Sequence, residues 1–368
     1  MITHSVQDMN DREKKLLTAL EKYPDLPMKE LANHISYKRA STIVRKVEQL
    51  REQHMIWGPF YDINYGKLCK NPFHKLFCIF ESNKSYNTVL SYLRLIESLV
   101  WSIPVLSPHR EIINAGFYFS NSQEIRALFQ MLKDNGIITG YETRVFCRKR
   151  IIENPDFFGD INPPLDNLLS PCDIPDLSFE SHDTNWSECD IAVLPHLMKG
   201  ARLIDILRAE RKLQKSWTYE QIKYSFRKMI KNRLIEKKYH VFPFHPLRCN
   251  IFNLFLKTEH IDLTKRIVYN FARGGRLYRE YSLCDDWGFV NCVCHPSFLV
   301  DLMYKLDHVD AIEMKEIHHI RSISGNRPLN FPPEVKYYDV ETQTLEYPYH
   351  VYREKIEEKL GNDQNLQI

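Results

Sequence analysis

Residues 36–56, SYKRASTIVRKVEQLREQHMI, gather the side chains of this chain best suited to an anionic partner. Ile43, Val47 and Leu50 recur at helical spacing and, with the His54–Ile56 end, define an inward stripe. Lys38, Arg39, Ser41, Thr42, Arg45 and Lys46 fall on the opposite side or at the leading end. A helix with one apolar stripe and a cationic, hydroxyl-bearing outer face fits the major groove of double-stranded DNA. Its cations meet phosphate, and its short polar side chains reach base edges. A solvated charged face is the plain alternative.

Other reactive residues form weaker patterns. Cys292-Val293-Cys294-His295, with Cys284 nearby, puts two thiols on one face of a strand. It lacks the second Cys-x-x-Cys pair that marks a zinc site, so no metal is assigned. His240, His245 and the pair His318-His319 read as surface or satisfied histidines. Gly274-Gly275 reads as a turn, not a phosphate loop. No Ser-His-Asp or Cys-His arrangement stands out in chain order, so no catalytic residue or cofactor is assigned and a non-enzyme is expected.

These residues need a scaffold. A chain of 368 residues implies two or more domains. Hydrophobic and charged fractions of 43% and 26% are those of an ordinary globular protein. A net charge of +3 is too small to mark a nucleic-acid binder, so any such signal must be local. No run approaches the roughly 18 apolar residues of a membrane span, and residues 1–15 lack the apolar core of a signal peptide. A cytoplasmic protein with no membrane partner is expected. The nine cysteines, scattered and odd in number, read as reduced core thiols.

In order, helices are expected over 10–23, 28–35 and the stretch above, then a β-hairpin over 57–64 turning near Gly58-Pro59. Together they make a winged helix-turn-helix over 1–66. Strands at 75–81, 100–106, 111–120 and 137–147, with helices at 85–99 and 122–135, make a βαββαβ ferredoxin-like domain over 71–150. Residues 151–186 carry eight acidic side chains, no Lys or Arg, and several prolines. Phe157, Phe158, Leu165, Leu168 and Leu169 make this connector too apolar to run free. The architecture then repeats, with helices at 189–199, 202–208 and 217–232 and a wing at 235–244, a second winged helix over 187–246. A second βαββαβ unit spans 248–322, and a C-terminal extension, 323–368, contains a helix of unassigned role. Aligning Ile235 with Ile56 superposes Ile222, Phe226 and Met229 on Ile43, Val47 and Leu50. The fold class is α+β, with two winged helix-turn-helix domains each followed by a ferredoxin-like domain. Between 199 and 238, 13 basic residues face 4 acidic ones. Lys215, Thr218, Lys223, Tyr224, Arg227 and Lys228 are the expected phosphate contacts of this second half.

The run LANHISYKRASTIVRKVEQLREQHMIWG (31–58), with its Leu-Ala helix, turn and Arg-Lys-Val-x-x-Leu reader, resembles the Lrp/AsnC (feast/famine) family of transcription regulators, here in tandem. The resemblance implies a regulator that binds duplex DNA as a homodimer. It also implies ferredoxin-like sheets that mediate oligomerisation and small-molecule effector sensing. Two departures stand out. Trp217, Thr218, Glu220, Gln221 and Tyr224 replace Lys38, Arg39, Ser41, Thr42 and Arg45. Asp285, Asp286, Trp287 and Gly288 stand where the first unit has Pro108, His109 and Arg110, so no effector residue is carried over. Siroheme decarboxylases resemble the same tandem architecture. A tetrapyrrole enzyme is therefore the alternative, with His74, His109 and Arg110 the nearest histidine and arginine candidates in a sheet cleft.

Overall fold

Asn10 starts α1 (Asp11–Lys22) by accepting from the Arg12 and Glu13 amides, while Glu13 Oε2 accepts from the Asn10 amide at 2.8 Å. In the computed structural model, which describes residues 9–35, 37, 39–321, 329–330 and 335–365, α2 (Met28–His34) and α3 (Ala40–Glu52) follow. Leu16, Leu17, Leu20 and Leu31 meet Ile43, Val47 and Leu50 in one buried core, so α3 turns its apolar stripe inward as its spacing requires. Then come β1 (Ile56–Ile63), the single turn α4 (Tyr65–Leu68), β2 (His74–Ser82), α5 (Tyr86–Leu93), β3 (Leu99–Val105) and β4 (Glu111–Phe119). The chain continues through α6 (Ser122–Asp134), β5 (Gly140–Val145), β6 (Ile151–Glu153), α7 (Glu188–Met198), α8 (Leu203–Lys212), α9 (Tyr219–Lys231) and β7 (Ile235–Val241). The last elements are β8 (Asn250–Lys257), α10 (Ile261–Asn270), β9 (Tyr278–Cys284), β10 (Trp287–Cys294), α11 (Pro296–Asp307), β11 (Met314–His319), β12 (Leu329–Asn330) and α12 (Tyr349–Asn365).

The chain folds as two units, and neither is a contiguous half. The first takes Met1–Asp62, Arg148–Ser178 and Glu236–His319; the second takes Ile63–Cys147, Phe179–Ile235 and Ile320–Ile368. Each unit thus joins the helix-turn-helix of one repeat to the ferredoxin-like sheet of the other.

In the first unit the expected hairpin over 57–64 is not formed. β1 is one uninterrupted strand, and its partner is β7, the matching strand of the second repeat. Gly58 permits the approach: it holds φ at +113°, and a Cβ there would lie 2.8 Å from the Lys238 carbonyl oxygen. The sheet runs β11-β8-β10-β9-β6, with its described pairs antiparallel. Phe252, Leu254, Val290, Cys292 and Leu302 pack between this sheet and its helices α10 and α11. The connector contributes β6 as an edge strand, places Leu165 and Leu168 in that core, and sends Phe157 into the core of α1–α3. Arg279, 1% exposed, donates to the carbonyls of Tyr269 at 2.8 Å and Val268 at 3.3 Å. Its other nitrogens donate to Glu153 Oε2 at 2.8 and 2.5 Å. It thereby satisfies the last carbonyls of α10 and ties down β6.

In the second unit the sheet runs β12-β3-β4-β2-β5, the same spatial order for its four main strands. Leu76, Phe80, Phe117 and Phe129 fill the helix side of that sheet. The C-terminal extension has a role here. Tyr352, Ile356 and Leu360 of α12 join this core, and Tyr349 Oη accepts from the Ser120 amide at 3.2 Å. In α7–α9 the buried Asp190 accepts from the Ser187 amide at 2.8 Å, from Ser225 Oγ and from Lys228 Nζ at 2.6 Å.

Because Tyr352 is fully buried, Tyr352→Ala should cost about 3 kcal/mol in urea denaturation, as for a large core aromatic. A loss below about 1 kcal/mol would show that α12 only rests on the surface.

Candidate functional site

One face of the first unit's sheet packs on helices; the other carries a row of polar residues. In register, His318 lies opposite Asn253, Asn253 opposite Asn291, and Asn291 opposite Glu280. Strand alternation puts all four on the same face, while Leu254 and Cys292 turn to the core. Asn291 Nδ2 donates to Asn253 Oδ1 at 2.9 Å. Phe255 and Phe289, 5.2 Å apart, flank the row, and Phe255 meets His318 edge-on at 5.8 Å.

At its Glu280 end the row runs into a charged cluster built by β1, β7, β9 and the residue just before β6. Arg150 Nη1 lies 3.3 Å from Glu280 and Nη2 lies 2.9 Å from Asp62, while Lys238 Nζ reaches Asp62 at 3.5 Å. His240 stacks on Phe60 at 4.6 Å and lies 5.5 Å from the Tyr278 ring. Burial pushes the Asp62 carboxyl up, but Arg150 and Lys238 outweigh it and hold it below the ordinary carboxylate range. Burial, with Arg150 beside it, lowers His240 to about 4, so its imidazole is neutral at neutral pH. Burial and then Glu280 raise the Tyr278 phenol, which keeps its proton.

The cluster is enclosed but not sealed. Asp62 keeps 35% of its side-chain surface and Arg150 keeps 28%. Two cations against Asp62 and Glu280 leave the enclosed part near neutral, and the exposed Glu236 lies 3.1 Å from Lys238 at its rim. A neutral imidazole and a protonated phenol stand beside cations that a further carboxylate can share. Such a set can hold an anionic group and move a proton.

The residues singled out in the sequence lie elsewhere. Arg39, Ser41, Thr42 and Arg45 are exposed on the leading end of α3, and among the described residues Arg39 and Arg45 form no ion pair. Lys38 lies outside the described residues. Lys46 crosses to Glu13 of α1 and donates to Gln49 Oε1 of its own helix at 3.0 Å. In the second helix-turn-helix, Lys215 and Arg227 are exposed, Tyr224 is 71% exposed, and Lys223 lies 3.4 Å from Glu220. Thr218 caps α9, and Lys228 neutralises Asp190 instead of facing outward.

The tetrapyrrole candidates are not brought together. His74 opens β2 beside Phe119, whereas Arg110 pairs with Glu81, near the other end of that strand. Seven strand residues separate the two ends by about 23 Å. Cys292 and Cys294 face the core, and among the described residues no three His, Cys, Asp or Glu side chains are grouped to hold a metal ion. No described helix is long and apolar enough to cross a membrane.

Asp62, Arg150, Glu280, Asn253 and Asn291 went unnoticed in the sequence, and Lys238 was read only as one of the basic residues of the second repeat. For the two asparagines the signal was a polar residue at an alternate position inside an otherwise apolar strand, in IFNLFLK and WGFVNCVC.

No protein-family model matches the sequence, and no curated protein matches it. Among solved structures, the fold is similar to that of the siroheme decarboxylase NirDL in co-complex with an iron-uroporphyrin III analogue. The TM-score is 0.52 at 9% identity, over 95% of this chain and 100% of that one. A second crystal structure of NirDL matches at TM-score 0.48 and 10% identity, over 94% of this chain and 99% of that one. AsnC of E. coli spans 37% of this chain and 91% of its own, at TM-score 0.28 and 19% identity. The first likeness takes in both repeats and the whole of an enzyme's chain. It overturns the expectation that this chain is not an enzyme, which rested on the lack of a local catalytic motif.

The neutral burial of His240 has a consequence for stability. The unfolded ring titrates near 6.5 and the folded one near 4, so the unfolded state binds more protons in between. Stability contributed by this site is present above about pH 6.5 and is lost as pH falls towards 4. In urea melts, His240→Phe should lose less stability than the native chain between pH 7 and pH 5; equal losses would contradict the assignment.

Proposed function

We propose that this chain is a carboxyl-lyase acting on carboxylate side chains of a tetrapyrrole. The observation that carries this reading is the cluster of part-exposed Arg150 and Lys238 over His240 and the buried Tyr278, on a tandem fold that a siroheme decarboxylase shares from end to end. Arg150 and Lys238 hold the substrate carboxylates. The bond from the carboxylate carbon to its methylene breaks, and its electron pair passes into the attached pyrrole ring as carbon dioxide leaves. Tyr278 delivers a proton to the former methylene carbon, giving a methyl group, and water restores the phenol. Neutral His240 keeps the Tyr278 site free of a competing charge. No oxidant or reductant enters the balance.

The test is to incubate the protein with siroheme, following binding by the Soret band and loss of carbon dioxide by mass spectrometry. Tyr278→Phe should lower turnover by about 10²–10⁴-fold with binding retained, and Arg150→Ala should weaken binding. A wild-type protein that neither binds nor decarboxylates siroheme would overturn the proposal.

The exposed leading end of α3 supports a second, separate reading. Arg39, Ser41, Thr42 and Arg45 are exposed and offer a face for duplex DNA, with the chain acting as a transcription regulator. Lys215, Lys223, Tyr224 and Arg227 of the second repeat would add phosphate contacts. In gel-shift titrations the double variant Arg39→Ala, Arg45→Ala should lose its preference among sequences and flatten the salt dependence by about 2 in slope. An unchanged preference would sink this reading.

A further inference from the structure

The two repeats differ in what covers the outer helix of each sheet. In the second unit, α6 has α12 lying along it, with Tyr352, Ile356 and Leu360 closing the core. The helix in the corresponding place of the first unit, α11, has no such cover among the described residues. Its inner residues Phe298, Leu302 and Leu306 are buried, but its outer side presents Val300 at 78% exposure, Met303 at 41% and Tyr304 at 69%. These three recur at i, i+3 and i+4, the spacing of a contact stripe and not of scattered surface residues. The turn Pro246–Arg248 sits beside the start of α11, since Phe244 meets the His295 ring at 5.3 Å, and it adds Leu247 at 84% exposure.

We propose that this stripe pairs with the same stripe of a second copy of the chain, α11 against α11, antiparallel about a two-fold axis near Met303. The charge pattern selects that occupant. Asp301 and Lys305 flank the stripe one helical turn apart, and among the described residues neither has an ion-pair partner. In an antiparallel pair centred on Met303, Asp301 of each copy faces Lys305 of the partner subunit, so the contact is complementary to itself twice over. In a parallel pair this charged edge would fall on opposite sides of the seam in the two copies, and neither charge would meet a partner. The apolar stripe supplies the attraction, and the two charge pairs fix the direction.

The test uses the full chain in analytical ultracentrifugation at micromolar concentration, with circular dichroism to confirm that each variant is folded. The native chain should sediment as a dimer, and Val300→Glu should raise the dissociation constant at least tenfold. Asp301→Lys and Lys305→Asp should each be monomeric alone, whereas an equimolar mixture of the two should recover the dimer. Met303→Cys should give a covalent dimer on mild oxidation. A monomeric native chain, a dimer that survives all these changes, or a mixture that stays monomeric would overturn the proposal.

Discussion

Asp62 is a carboxylate ringed by protein, and the arrangement of the first unit follows from the need to compensate it. An enclosed charge without a partner costs several kcal/mol. Arg150 at 2.9 Å and Lys238 at 3.5 Å remove that cost, and Arg150 is in turn balanced by Glu280. These four residues come from β1, from the position just before the connector, from β7 and from β9. The same charges therefore draw the paired strands β1 and β7 towards the edge of the sheet. Burial, helped by Arg150, depresses His240 in this enclosed site, although Glu280 and Asp62 act to raise it. Structure and proposed chemistry thus share one cause. The groups that hold the strands in place also enclose the ring and the phenol, and that enclosure keeps the imidazole neutral and the phenol protonated beside two cations.

The repeats have diverged most on this same sheet face. In the first unit the row across the sheet is His318, Asn253, Asn291 and Glu280. In the second unit the row at the same strand positions is Arg144, Phe77, Gly116 and Trp101, in which two aromatic rings and a glycine stand in place of three polar residues. One sheet keeps a hydrogen-bonding face, and the other is half apolar. The helix-turn-helix regions show a similar split. Arg39 and Arg45 of α3 stay outward, while Lys228 of α9 is drawn in to neutralise Asp190. A duplicated chain with one copy of each feature retained is consistent with separate duties for the two sheets and for the two helix-turn-helices.

Much of the fold was legible because its signals are local. The stripe Ile43, Val47, Leu50 and the alternation in β2 and β8 report burial within a few residues, and the repeat of α+β order follows from them. The wing was misread because Gly58-Pro59 looks like a turn. Nothing near Gly58 records that its real partner is β7, some 180 residues on. The role of the C-terminal helix was hidden for the same reason, since Tyr352 and Ile356 find their core on distant strands. The charged cluster was the hardest to see. Asp62, Arg150, Lys238 and Glu280 are unremarkable singly, and only the folded arrangement turns four surface-type residues into one site.

The most direct test of the central claim is a crystal structure of the protein grown with an iron tetrapyrrole bearing free carboxylates. The account predicts the macrocycle seated with a carboxylate on Arg150 or Lys238 and a side-chain methylene within reach of Tyr278 Oη. A macrocycle bound away from these residues, or a cluster still closed on its own four charges at saturating ligand, would contradict it.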